Sequence, residues 1–107
     1  SDLPEIGYKI AKNIPELAQV STYILAHHEW WNGRGYPFGL SGEGIPLPSR
    51  IIAVVDAFDV MLSGRVYRAA RSREEALAEL RRCAGTQFDP GVVDVLTEFS
   101  GDDPHAV

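Results

Sequence analysis

His27 and His28 stand side by side. Neutral imidazole is a common ligand for transition metals. Adjacent positions on a helix point about 100° apart, so two neighbouring rings can flank one site without stacking on each other. The competing reading packs one ring in the core and exposes the other. Asp56 shifts the balance, because it interrupts an apolar run, with Val54 and Val55 before it and Ala57 and Phe58 after. Asp59 follows on the same helical face. A carboxylate beside an apolar stripe needs a partner, since buried charge is costly unless paired or metal-bound. A salt bridge would meet that need. Two histidines and an aspartate on packed helices would instead form part of a metal site.

Other groups could bind a ligand. Arg65 and Arg68 flank Tyr67 just after the Asp56 helix, and two such guanidinium forks can serve one phosphate group. Solvation at the surface is the commoner fate of such a pair. Trp30 and Trp31 close the second helix; one packs in the core, and an exposed one could stack on a base. Asn32-Gly33-Arg34-Gly35-Tyr36-Pro37 lacks both the G-x-G-x-x-G frame after a strand and a G-K-[ST] triplet. Asn32-Gly33 is a tight-turn dipeptide.

These groups must be positioned by helices. The pattern predicts an all-α fold of about five helices around one core. The first runs from Pro4 to about Asn13. The second has Pro15 in its first turn, carries Leu17, Val20 and Ile24 at helical spacing, and ends near Trp30-Trp31. Residues 32–48 hold five glycines and three prolines, a long loop of the kind that is usually functional. Its Tyr36, Phe38, Leu40, Ile45 and Leu47 predict that it packs. The third helix spans Ser49 to Leu62, with Ile51, Val55, Phe58 and Leu62 on one face. Ser72-Arg73-Glu74-Glu75 is a capping box for a fourth helix, which ends at Gly85 with Arg81 and Arg82 in its last turns. Asp89-Pro90 opens a fifth. Residues 100–107 read as a flexible tail.

The chain has 107 residues, 45% of them hydrophobic and 23% charged, which is one ordinary globular domain. No apolar run approaches the roughly 20 residues needed to cross a bilayer. Cys83 stands alone, which excludes an internal disulfide and fits a reducing cytoplasm. The net charge is −5. Five carboxylates and no Lys or Arg fall in residues 89–107, whereas residues 49–88 hold seven arginines against five acids. That balance disfavours general nucleic-acid binding and leaves room for a small phosphate ligand held by arginines.

The run His27-His28-Glu29-Trp30-Trp31-Asn32-Gly33-Arg34-Gly35-Tyr36-Pro37 resembles the signature segment of the HD-GYP family. Gly39-Leu40, Gly42, Ile45-Pro46-Leu47, Arg50-Ile51, Val55-Asp56, Asp59, Arg65, Tyr67-Arg68, Glu75-Ala76, Gly85 and Phe88-Asp89-Pro90 keep the pattern, so the resemblance covers about residues 3 to 99. It implies the C-terminal part of an HD-superfamily helical domain. It also implies a cytoplasmic bacterial signalling phosphodiesterase that hydrolyses cyclic di-GMP with divalent transition metals, iron or manganese. By position, His27, His28 and Asp56 would be metal ligands. Gly35, Tyr36 and Pro37 would shape the substrate pocket and a partner-binding face, and Arg65 and Arg68 would contact phosphates.

The departures are specific. The family's upstream His-Asp dyad and the lysine after it are absent, and Leu3 stands where the next histidine belongs. Asn32 replaces the usual Asp. The metal complement is therefore expected to be incomplete or absent, and the chain alone catalytically inactive or very weak. The alternative is a degenerate module that binds cyclic di-GMP or a partner signalling domain without cleaving anything. Helices lacking an upstream partner should leave an apolar patch exposed, and a homodimer is expected.

Overall fold

The computed structural model describes residues 5–6, 18–64 and 69–100. Among them lie four α-helices and no strand: α1 (Ala18–Ala26), α2 (Leu47–Ser63), α3 (Arg73–Cys83) and α4 (Pro90–Ser100), with a single 3-10 turn at Gly42–Gly44 before α2. The all-α expectation holds. Of the expected first helix only Glu5 and Ile6 are described, and both are helical. Leu3, Arg65, Tyr67, Arg68 and the tail beyond Ser100 lie outside the described residues.

The longest helix, α2, packs on each of the other three. It begins at Leu47 rather than at Ser49, because Pro48 falls in its first turn, where a missing N–H costs no helical hydrogen bond. It ends at Gly64, whose φ of 69° is left-handed and whose N–H donates to the Val60 carbonyl at 3.1 Å. A Cβ on Gly64 would sit 2.8 Å from the Ala70 nitrogen. Glycine there serves both the stop and the sharp return of the chain.

The core gathers Val54 and Met61 of α2, Ala76, Leu77 and Leu80 of α3, Phe88, and Val93 of α4. This corrects the expected α2 stripe in part. Phe58 and Leu62 pack against the core, but Ile51 and Val55 are 43% and 51% exposed. Apolar residues surround much of α2, so a 3.6-residue period alone leaves open which stripe meets α3 and α4. Leu47, Ile52, Val95 and Phe99 are exposed as well, so an uncovered apolar face does run along α2 and α4.

Polar anchors fix the relative positions of the helices. Ser49 is fully buried, and its hydroxyl donates to the Tyr23 carbonyl at 2.9 Å, joining α2 to α1. Arg50 donates from Nε to the Ile45 carbonyl at 2.9 Å and from Nη1 to Asp89 Oδ2 at 2.7 Å. Asp89 Oδ1 accepts the Gly91 N–H at 2.8 Å, so one buried carboxylate both caps α4 and pairs with α2. The capping box of α3 is present in both directions between Ser72 and Glu75.

Arg50→Met strands the buried Asp89 carboxylate and should cost about 3 kcal/mol, whereas Ser72→Ala removes an exposed cap worth about 1 kcal/mol. Urea unfolding of both variants checks the ranking. Equal costs would mean that the Arg50–Asp89 pair does not fix α4 on α2.

Candidate metal centre

Helix α1, the second of the expected helices, stops one turn earlier than expected, at Ala26, and His27 and His28 occupy the turn beyond it. The cause is competition for backbone partners. Trp31 and Asn32 donate their N–H groups to the carbonyls of Gln87 at 3.0 Å and Thr86 at 2.9 Å, which draws the chain to the turn between α3 and α4. The two rings are not splayed as on a helix. Their centroids lie 4.2 Å apart at 38°, in contact rather than pointing about 100° apart.

His27 Nδ1 lies 2.6 Å from the Ile24 carbonyl. A carbonyl oxygen only accepts, so Nδ1 carries a proton, and in the neutral ring the lone pair is on Nε2. That is the arrangement commonly found behind a metal-bound histidine. His28 is held below its ordinary pKa, first by burial and then by the neighbouring His27, with Asp56 and Glu5 pulling the other way. The result favours the neutral imidazole that ligation requires.

His27, His28 and Asp56 line one cavity of about 110 Å³, floored by Gln87 and Phe88. Beside it, a hollow of about 430 Å³ shares His28, Asp56, Gln87 and Phe88 and extends to Glu79 and Cys83. The smaller space suits an ion or a few waters, and the larger lies in the range of small-molecule sites. The structure thus brings the His pair and Asp56 together. Among the described residues, however, no three His, Cys, Asp or Glu side chains stand close enough to hold a metal ion. Asp59 does not line that cavity; it borders a shallow apolar hollow with Ile51, Ile52, Val55 and Asp56.

In kind, the donors fit a divalent cation: two imidazoles, one with a fixed tautomer, and a carboxylate. Glu5 adds a second observation. Its Oε2 is buried with no hydrogen-bond partner, and its charge acts on His28. An orphaned buried carboxylate oxygen calls for a cationic neighbour.

The glycine-rich loop packs against His28 and Glu29. A Cβ on Gly35 would lie 2.5 Å from the His28 carbonyl oxygen and 2.7 Å from the Glu29 carbonyl carbon, so only glycine lets the strands of loop touch. Tyr36 donates its N–H to the His28 carbonyl at 3.3 Å, and its ring stacks on His28, centroids 5.1 Å apart and 9° from parallel. The Tyr36-Pro37 peptide is cis. Asn32 Oδ1 accepts the Arg34 N–H at 3.0 Å, a turn that Asn and Asp can both make.

Glu29 was not singled out by the sequence. It is 3% exposed, and its Oε2 and Oε1 accept the N–H groups of Phe38 at 2.6 Å and Leu40 at 2.8 Å. The argument that singles out Asp56 applies to it equally, since it is a carboxylate set against Trp30 and Trp31.

A family model described as "HD domain" matches residues 1–92. The chain belongs to the HD-domain family. It is 47% identical over 95 residues to "Cyclic di-GMP phosphodiesterase response regulator RpfG" of Xanthomonas campestris pv. campestris, covering 87% of this chain and 25% of that protein. It is 41% identical over 96 residues to "Cyclic di-GMP phosphodiesterase" of Thermotoga maritima, covering 88% of this chain and 26% of the relative. A crystal structure of a cyclic GMP-AMP specific phosphodiesterase of V. cholerae superposes with a TM-score of 0.77 at 34% identity, over 94% of this chain and 23% of that one. The HD-GYP resemblance therefore stands, and the chain spans about a quarter of the length of these relatives. Among the described residues of this HD domain, no helix is long and apolar enough to cross a membrane.

Gly35→Ala should destabilise the domain by roughly 1–3 kcal/mol, the usual cost of forcing atoms into a packed contact. Gly44→Ala meets open space and should stay within about 0.5 kcal/mol of the parent. Denaturant midpoints measure both, and equal effects would remove the close-approach explanation for Gly35.

Proposed function

We propose that this domain is the C-terminal part, residues 1–99, of an HD-GYP phosphodiesterase that acts on cyclic di-GMP in bacterial cytoplasmic signalling. The observation that carries the reading is the cavity lined together by His27, His28 and Asp56, with the Tyr36 ring stacked on His28. When bound, a divalent transition metal, iron or manganese, supplies polarisation of a phosphoryl oxygen and activation of a water. His27, His28 and Asp56 would hold it. The Nδ1 bond to Ile24 keeps His27 in the ligating tautomer. Tyr36, stacked on His28, would border the substrate with its loop, and the adjoining hollow would receive part of the substrate. Arg65 and Arg68 are assigned to the substrate phosphates on the resemblance.

The chain alone should not turn over. Its donor set is partial, since Leu3 carries no ligating atom and no set of three metal-binding side chains is assembled among the described residues. The same two observations favour a second reading, a module that binds the dinucleotide or a partner signalling domain through the Gly35-Tyr36-Pro37 loop without hydrolysis. The expected homodimer stays part of the proposal, resting on the exposed apolar face of α2 and α4.

The test is elemental analysis of the chain equilibrated with manganese or iron, alongside His27→Ala. It is paired with hydrolysis assays of the parent-length protein on cyclic di-GMP and on 3'3'-cGAMP. Any metal the chain takes up should be weak or sub-stoichiometric and lost in His27→Ala; we expect no turnover by the 107 residues and metal-dependent cleavage of cyclic di-GMP by the parent. Binding of cyclic di-GMP without metal or cleavage would establish the module instead. Preference for 3'3'-cGAMP would reassign the substrate.

A further inference from the structure

Glu29 lines the cavity of the His pair, where a carboxylate would ordinarily be read as a ligand or a base. Its geometry gives it another task, because each oxygen accepts a backbone N–H from the loop, at 2.6 Å and 2.8 Å. We propose that Glu29 is a positioning residue for the His28 imidazole, acting through the loop it anchors. The inference rests on reading His28 as a metal ligand.

The path is continuous. Glu29 holds Phe38 and Leu40, which fixes the segment that carries Tyr36. The Tyr36 N–H bonds the His28 carbonyl, and Gly35 lets the two backbones touch. The Tyr36 ring then covers His28, while the His27 ring lies 4.2 Å from it at a tilt. An imidazole in contact with two aromatic rings has little freedom to rotate about its χ angles. Loop N–H groups buried without acceptors would move to find water, so the stack exists only while the carboxylate holds the loop. Two charge-assisted bonds are needed. Glutamine has one acceptor oxygen, so it can serve only one of the two N–H groups and presents its own N–H₂ to the other.

The experiment is NMR of the metal-free chain, reading the His28 ring protons in Glu29→Gln, Tyr36→Leu, Tyr36→Phe and the Glu29→Gln/Tyr36→Leu double variant. Manganese titration of each follows. Tyr36→Phe should retain the upfield ring-current shift of His28. Tyr36→Leu should lose it, and Glu29→Gln should lose it although Tyr36 is present. The double variant should match either single one. Manganese affinity should fall by about 10–100-fold in Glu29→Gln and Tyr36→Leu, the usual effect of removing a group that orients a ligand, and Tyr36→Phe should restore it. An unchanged His28 shift in folded Glu29→Gln overturns the proposal. If that variant does not fold, an unchanged shift in Tyr36→Leu, where the Glu29 bonds remain, overturns it equally. Wild-type chain that binds no manganese would sink the metal reading alone, while the ring shifts still decide the positioning role.

Discussion

One buried carboxylate supplies the acceptors for two backbone N–H groups of an irregular loop, and the placement of the Tyr36 ring on His28 depends on it. Burying a charge is costly unless hydrogen bonds replace its water. Glu29 meets that condition with Phe38 and Leu40. The exchange runs both ways, because those N–H groups belong to no helix and would otherwise lack partners inside the fold. The loop is further stitched to its surroundings where Gly42 donates to the Trp31 carbonyl and Trp31 and Asn32 donate to the α3–α4 turn. A segment rich in glycine is thereby held as firmly as a helix end.

The helices contribute position rather than chemistry. The second helix carries Asp56 to the cavity, and its own placement depends on Ser49 against α1 and on Arg50 against Asp89. The apolar stripe Val54–Met61 locks it to α3 and α4. Because one helix touches all the others, the His pair at the end of α1 and the corner at Gln87-Phe88 meet over the same side chain. The cavity is a junction of three elements, and small rotations of α2 would open it.

Local signals were the legible ones. Ser72 with Glu75 and Asp89 with Pro90 mark helix starts because their bonds close within a few residues. The cost of a carboxylate in an apolar run marked Asp56, and the residue types marked His27 and His28, but spacing could not show that their elements meet at one cavity. The end of α1 was not, since it is set by Gln87 and Thr86, more than fifty positions away along the chain. The inward stripe of α2 was ambiguous, because apolar residues cover both candidate faces and only packing selects Val54 over Val55. Glu29 carried no local signal of its role, because its partners Phe38 and Leu40 lie nine and eleven residues on, in a loop whose path the sequence does not show.

Everything functional here turns on whether the cavity of His27, His28 and Asp56 receives a metal. Anomalous scattering at the manganese edge, from crystals of this chain grown with manganese, tests that most directly. The account predicts a peak within reach of His27 Nε2, the His28 ring and the Asp56 carboxylate. A peak elsewhere, or an occupied lattice with none at that cavity, would contradict it.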